Sequence, residues 1–266
     1  MAGGAMASLF VPALVSGASS ASGFDFLVVN DIHHSCDDAC RGWLEGVVRS
    51  MKTLPARPEF CVLAGDLSEH GRADEIEEVR AAFAALSIPI FAVIGNHDYL
   101  DDRDRSPYSR AFSAPLNYSF EHRGWQFIGL DSTDRRRVFW TTVQPPTFAW
   151  LDENLRRLSR KKPTAIFTHF PLSGNWVRPV NAHAVLRRFR GTNLREVFTG
   201  HWHGFTAARI GQTTLTTNRC CSLLRPNNDH TPEKGYFLCR AGEESIERYF
   251  VEVTPAHEDR RRTRKP

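Results

Sequence analysis

Five apolar runs along the chain end in the same way, because each is followed by aspartate, asparagine or histidine. Near-continuous apolar runs of this kind are typical of strands that are buried on both faces. In chain order the runs and their polar followers are FLVVN with Asp31 and His33, FCVLAG with Asp66, FAVIG with Asn96, His97 and Asp98, AIFT with His169, and EVFTG with His201 and His203. Ligand sites in α/β sheets form at the carboxyl ends of strands. The pattern therefore predicts one shared polar cluster at that edge.

Helical patterns lie between the apolar runs and complete an α/β alternation. The spacing of apolar residues predicts helices over 40–52, 73–86, 148–162 and 181–189. Runs at 213–218, 235–241 and 245–253 add consecutive strands towards the C-terminus. Alternating strands and helices indicate βαβ units, and the later strands indicate a second sheet. We therefore expect two sheets packed face to face, with helices on the outside.

The chemistry of the polar cluster indicates a metal centre. The expected ligands are two carboxylates, one amide oxygen and four imidazoles, from Asp31, His33, Asp66, Asn96, His169, His201 and His203. This set suits borderline divalent or trivalent transition metals, such as iron, manganese or zinc, better than Ca²⁺ or Mg²⁺. Seven ligands are too many for one tetrahedral ion and suit two ions that share a carboxylate. Any one of these residues alone would more simply be a cap, a turn or a surface residue.

The ordered motifs DIH, GD, GNHD, H and GHWH resemble those of the calcineurin-like metallophosphoesterase superfamily. The resemblance implies a four-layer αββα sandwich, in which two mixed sheets are flanked by helices. It implies a first metal held by Asp31, His33, Asp66 and His203, and a second metal held by Asp66, Asn96, His169 and His201. It makes His97 the catalytic histidine near the leaving group, with Asp98 orienting its ring. Asn96 and His97 would also contact the substrate.

Two further segments, GDLSEHG (65–71) and 129–155, resemble the class III cyclic-nucleotide phosphodiesterases and their bacterial relatives. The resemblance implies that a metal-bridging hydroxide hydrolyses cyclic nucleotides or related small diesters. A phosphomonoesterase or phosphoprotein phosphatase on the same metal core is the alternative, and a non-catalytic binding scaffold is a third. The intact motifs disfavour the scaffold. Glu69 stands where purple acid phosphatases carry a tyrosine ligand.

The two ends of the chain differ in composition from the domain predicted over 24–254. Residues 1–23 contain no charged side chain, and their short apolar run (7–15) followed by small residues favours an export signal. We therefore expect an exported or periplasmic protein with no transmembrane segment, the alternative being a cytoplasmic protein with a disordered leader. The net charge is +4, and the segment 260–266 within the predicted disordered tail (255–266) carries five basic residues. The rest of the chain is near neutral, so we expect a small-molecule phosphoester partner and no nucleic acid.

Overall fold

The computed structural model describes residues 23–174 and 177–254, and the expectations for the leader before residue 23 and for the tail (255–266) lie outside them. The strands are β1 (Phe24–Val29), β2 (Pro58–Ala64), β3 (Ile90–Val93), β4 (Tyr118–His122), β5 (Trp125–Leu130), β6 (Thr164–Thr168), β7 (Leu194–Thr199), β8 (Thr206–Ile210), β9 (Thr213–Thr217), β10 (Gly235–Ala241) and β11 (Ile246–Glu252). The helices are α1 (Asp38–Lys52), α2 (Ala73–Ala84), α3 (Ser106–Ala111), α4 (Pro145–Asn154) and α5 (Ala182–Arg188). None of these helices is long and apolar enough to cross a membrane.

The strands form two mixed sheets. The first sheet has the order β11-β10-β1-β2-β3, and the second has the order β4-β5-β6-β7-β9-β8. In the first sheet β1, β2 and β3 are parallel, while β10 runs antiparallel to β1 and to β11. In the second sheet β5, β6, β7 and β9 are parallel, and the edge strands β4 and β8 are antiparallel to their neighbours. The motif-bearing strands therefore point their carboxyl ends to one edge in each sheet.

An aromatic core holds the two sheets together. Phe26 of β1 and Phe60 of β2 stack with ring centroids 4.9 Å apart. Across the interface, Phe60 meets Phe127 of β5 at 5.2 Å, and Phe26 meets Phe167 of β6 at 6.2 Å. Edge-to-face and stacked contacts at these distances stabilise the packing beyond simple burial. The two sheets thus share one inner core.

Helices cover the outer face of each sheet. On the first sheet, α1 and α2 bury apolar side chains that include Trp43, Val47 and Val79. On the second sheet, Leu151 of α4 and Val185 of α5 belong to a separate apolar cluster. Apolar stripes at helical spacing drive this packing. The predicted αββα sandwich is confirmed.

The structure also corrects some predicted boundaries. The helix predicted over 148–162 begins at Pro145 and ends at Asn154. The Asn154 side-chain amide donates to the Trp150 carbonyl, and such local bonds compete with continuation of a helix. The short elements α3, β4 and β8 were not predicted, because their few residues carry too little periodicity.

Candidate active site

The strand ends bring all seven predicted metal ligands together. Asp31, His33 and Asp66 follow β1 and β2 of the first sheet, and each is almost fully buried. His169 follows β6 of the second sheet and is fully buried, whereas His201, which follows β7, is partly accessible. The predicted convergence is therefore observed. Metal coordination by these residues stays a prediction.

Five of these ligands have a left-handed backbone conformation, which sets the direction of their side chains. Asp31, His33, Asp66, His201 and His203 have φ angles of 53°, 48°, 51°, 64° and 46°, in the left-handed region. Residues other than glycine rarely adopt this region, at a cost of about 1–3 kcal/mol each, and such strain clusters at functional sites. In a regular strand, the first and third side chains of an Asp-x-His or His-x-His motif would lie on the same face and point in parallel directions. The left-handed turns instead let them converge on one point.

Glycines leave room for the ligands at the strand ends. A Cβ atom on Gly65 would lie 2.4 Å from His169 Nδ1. A Cβ on Gly95 would lie 2.2 Å from Asp66 Oδ1, and one on Gly200 would lie 2.7 Å from Asp31 Oδ2. These distances are below van der Waals contact. The glycines therefore form a close-fitting cradle around the donor atoms.

The first donor group consists of Asp31, His33, Asp66 and His203, whose ligand atoms all lie within 4.8 Å of one another. The Nε2 atoms of His33 and His203 are 3.0 Å apart. His33 Nε2 is 3.5 Å from Asp66 Oδ2, and His203 Nε2 is 3.5 Å from Asp31 Oδ1. Two imidazole nitrogens and two carboxylates thus face a common point, as expected for a cation site.

The second donor group consists of Asp66, Asn96, His169 and His201. The ligand atoms of Asp66, His169 and His201 again lie within 4.8 Å of one another. His169 Nε2 is 3.2 Å from Asp66 Oδ2 and 3.3 Å from Asn96 Oδ1. Asp66 belongs to both groups, which is the arrangement expected when one carboxylate bridges two ions.

The electrostatics of the cluster suit a cation. Burial raises the pKa of Asp66, but His169 and His97 outweigh it and hold that pKa well below its usual range. Burial and the neighbouring His169 lower the pKa of His201 to about 3. An ionised carboxylate and a neutral imidazole are the forms that bind metals. Burial lowers the pKa of His169, yet Asp66 and Asp31 raise it to about 9, so the carboxylates attract positive charge at this point.

The structure shows which groups the Asp98 carboxylate contacts, and the catalytic role that the resemblance implies for it stays a prediction. Its Oδ1 atom accepts hydrogen bonds from the Leu67 and Ser68 amides at 2.8 and 3.0 Å, and its Oδ2 atom accepts from the Gly95 amide. On the His97 ring, Nδ1 lies 2.9 Å from the Glu69 carbonyl oxygen. Asp98 therefore fixes the loop that carries His97, because its carboxylate accepts hydrogen bonds from three backbone amides and from the Ser68 hydroxyl.

Glu69 is a site residue that sequence reasoning noted only as a departure from another family. Its carboxylate Oε2 atom lies 3.0 Å from His33 Nδ1, and its carbonyl oxygen faces His97. Arg225 pairs with the same carboxylate through Nε and Nη2. Burial raises the pKa of Glu69, but His33 and Arg225 lower it to about 2. Glu69 thus links a ligand of the first donor group to the predicted catalytic histidine.

A second unpredicted contact supports His203. Burial lowers the pKa of His203, but Asp31 and the neighbouring Cys220 thiol raise it well above its usual value, and Lys234 Nζ lies 3.0 Å from Cys220 Sγ. Partners that hold the outer side of a ligand imidazole fix its orientation and its basicity. Both Cys220 and Lys234 come from the segment after β9, where no motif or periodicity marks them.

Comparison with known proteins agrees with the fold and assigns the chain to a family. The family described as calcineurin-like phosphoesterase matches residues 24–205. The fold and the site are those of a metal-dependent phosphoric ester hydrolase. The chain belongs to the calcineurin-like phosphoesterase family, as the motifs predict.

Relatives and solved structures extend this assignment. The chain is 28% identical over 225 residues to a glycerophosphodiester phosphodiesterase, GpdQ, of Enterobacter lignolyticus, covering 75% of this chain and 78% of that protein. It is 28% identical over 190 residues to a 3′,5′-cyclic-nucleotide phosphodiesterase of Nostoc, covering 66% and 70% of the two chains. A dimetal phosphatase from Danio rerio shares the fold, with a TM-score of 0.63 at 15% identity over 87% of this chain and 99% of that chain. The two diesterase relatives support diester hydrolysis at the level of the family, and the solved structure supports the fold.

Proposed function

We propose that the protein binds two transition-metal ions, drawn from iron, manganese and zinc, and uses them to hydrolyse small phosphodiesters. The observation that carries the proposal is that two donor groups share the Asp66 carboxylate. Imidazole and carboxylate donors suit these borderline ions. When bound, such ions activate water at neutral pH and neutralise charge on the phosphoryl oxygens.

His97 is the residue that we propose as proton donor to the leaving oxygen. Because its Nδ1 atom lies 2.9 Å from the Glu69 carbonyl oxygen, Nδ1 carries a proton and Nε2 is left for the substrate. The ring stands against His33 at a centroid distance of 4.6 Å, so it borders the first donor group. Its partial exposure allows contact with a bound phosphoester. An imidazole in this position can act as a general acid.

The substrate class that we propose is a small organic phosphodiester. Two relatives are diesterases by name, one for glycerophosphodiesters and one for 3′,5′-cyclic nucleotides. Without its basic end the chain is near neutral, so it lacks the excess of positive charge that binds the phosphates of nucleic acids.

We also propose that the protein is exported. The support is the uncharged, small-residue composition of residues 1–23 with its short apolar run. Fusion of residues 1–23 to a reporter that is active only outside the cytoplasm tests this directly. Reporter activity is expected, and an inactive, cytoplasmic fusion would contradict export.

Turnover of metal-loaded protein tests the proposed activity. The panel contains cyclic nucleotides, glycerophosphodiesters, nucleotide-sugar diphosphates and phosphomonoesters, with metal content measured on the same sample. We expect two ions per chain and faster hydrolysis of diesters than of monoesters. Glu153→Gln is the matched control, since Glu153 is exposed and pairs with Arg157 away from the cluster. A preference for monoesters would favour a phosphatase on the same metal core.

A further inference from the structure

One loop beside the donor cluster has features that metal binding does not explain. This Trp140 loop (134–142) joins β5 to α4 and contains the sequence DRRRVFWTT. Trp140 is 80% exposed, and Val138 is 38% exposed. Trp140 also has a φ of 53°, in the left-handed region. A bulky aromatic residue in this region is a backbone outlier, and such strain persists only where the surroundings impose it.

Two contacts place this loop next to the second donor group and to the segment that follows the GNHD turn. On one side, the Val138 carbonyl oxygen lies 3.1 Å from Nε2 of His201, a member of the second donor group. On the other side, Arg135 pairs with Asp102, which follows the GNHD turn, at 3.3 Å. Trp140 is therefore two residues along the chain from Val138, whose carbonyl oxygen contacts the predicted ligand His201. The loop that carries Trp140 therefore borders the second donor group.

Hydrogen bonds hold the backbone on either side of Trp140, so its exposed position is fixed by the fold of the loop. Thr141 is fully buried, and its carbonyl oxygen accepts a hydrogen bond from the Val180 amide at 2.9 Å. Asp134, at the start of the loop, accepts from Thr142 Oγ1 at 3.4 Å. Val180 is itself 52% exposed and adds apolar surface next to the loop. A fixed backbone thus presents an aromatic ring to solvent beside the cluster.

We infer that Trp140 binds a planar, nucleobase-sized substituent of the phosphodiester while its phosphate occupies the donor cluster. Flat π-systems stack on exposed aromatic rings, and such stacking tolerates different bases. The inference rests on the proposed diesterase function and deepens it, because it names the substrate class and the residue that selects it. A diester without a ring gains nothing from Trp140.

The test compares two diesters on metal-loaded protein. The first is 3′,5′-cyclic AMP, which carries a base, and the second is glycerophosphoethanolamine, which carries no ring. For Trp140→Ala we expect kcat/KM for cyclic AMP to fall about ten-fold or more, with the ring-free diester changed less than about two-fold. Trp140→Phe should recover part of the loss. Tyr249→Ala is the control, since Tyr249 is an exposed aromatic on the edge strand β11.

Two results would overturn the inference. Equal slowing of both diesters would mean that the loop acts through His201, and no change in either would mean that Trp140 does not contact substrate. If wild-type protein turns over neither diester, the proposed function fails, and equilibrium dialysis of cyclic AMP against wild type and Trp140→Ala decides the inference separately. Weaker binding by the variant supports it. Equal binding would overturn it. If the sedimentation coefficient of the variant also changed, the loop would be an interface between copies of the chain.

Discussion

The two donor groups share Asp66 but are supported in different ways. In the first group, side chains stand beside the ligand imidazoles, with the Glu69 carboxylate 3.0 Å from His33 Nδ1 and the Cys220 thiol near His203. In the second group, backbone carbonyls do so. The Ala64 carbonyl oxygen lies 3.1 Å from His169 Nδ1, and the Val138 carbonyl oxygen lies 3.1 Å from His201 Nε2. Substitution of a supporting side chain should therefore weaken metal binding in the first group. In the second group, only substitution of the ligands themselves should do so.

The largest effect is expected where the two groups meet. Asp66→Asn should lower kcat/KM by about a thousand-fold or more, because the amide cannot supply the shared charge to either group. Metal content should fall for both ions together. Elemental analysis and steady-state kinetics check this result. Glu77→Gln is the control, since Glu77 is exposed and pairs with Arg80. Loss of only one ion from Asp66→Asn would show that the groups are independent.

The predicted catalytic histidine should show an effect that depends on the leaving group. His97→Ala should slow the release of alkoxides by about 10²–10⁴-fold, since these leaving groups need a proton. Esters of p-nitrophenol, whose leaving group is stable as an anion, should be affected far less. Kinetics with a matched alkyl and aryl pair measure the ratio. Equal slowing of both substrates would rule out proton donation by His97.

The next prediction separates the two kinds of support. Glu69→Gln should weaken metal affinity and activity by about 10–100-fold, because it removes the carboxylate that faces His33. Val138→Ala retains the carbonyl oxygen that faces His201, so it should change both by less than about two-fold. Metal titration of the two variants gives the comparison. If Val138→Ala is the more damaging, side-chain and backbone support are not distinct in the way proposed.

A smaller effect is expected for Lys234, which contacts Cys220 and not a metal ligand. Lys234→Met removes the ammonium group that lies 3.0 Å from Cys220 Sγ, but leaves the thiol next to His203. Affinity for the ion of the first donor group should fall by less than in Glu69→Gln, because the lysine acts only through the thiol. Metal titration at constant pH measures this ranking. A loss larger than that of Glu69→Gln would mean that Lys234 has a more direct part.

The donor positions could be predicted from sequence because parallel strands share an edge. Asp31, Asp66 and His169 each follow a buried strand, and the carboxyl ends of such strands meet in this fold. The left-handed backbone at Asp31 and Asp66 could not be predicted, since residue type alone points to glycine for that region. The backbone contacts of Asp98 could not be predicted for a related reason. Adjacency in GNHD does not bring the His97 ring and the Asp98 carboxylate together.

The supporting residues were missed because their partners are remote in the chain. Glu69 and Arg225 are separated by 156 residues, and Arg225 lies in an irregular segment without periodicity. Only the departure of Glu69 from the purple acid phosphatase pattern marked its position. Contacts of this kind depend on packing between distant segments, which local patterns do not encode.

Anomalous diffraction from metal-loaded crystals tests the central claim most directly. We expect two ions, one on each side of the Asp66 carboxylate and about 3.5–4 Å apart. His33 and His203 should ligate one ion, and His169 and His201 the other. A single ion at full occupancy in active protein, or two ions bound away from Asp66, would contradict it.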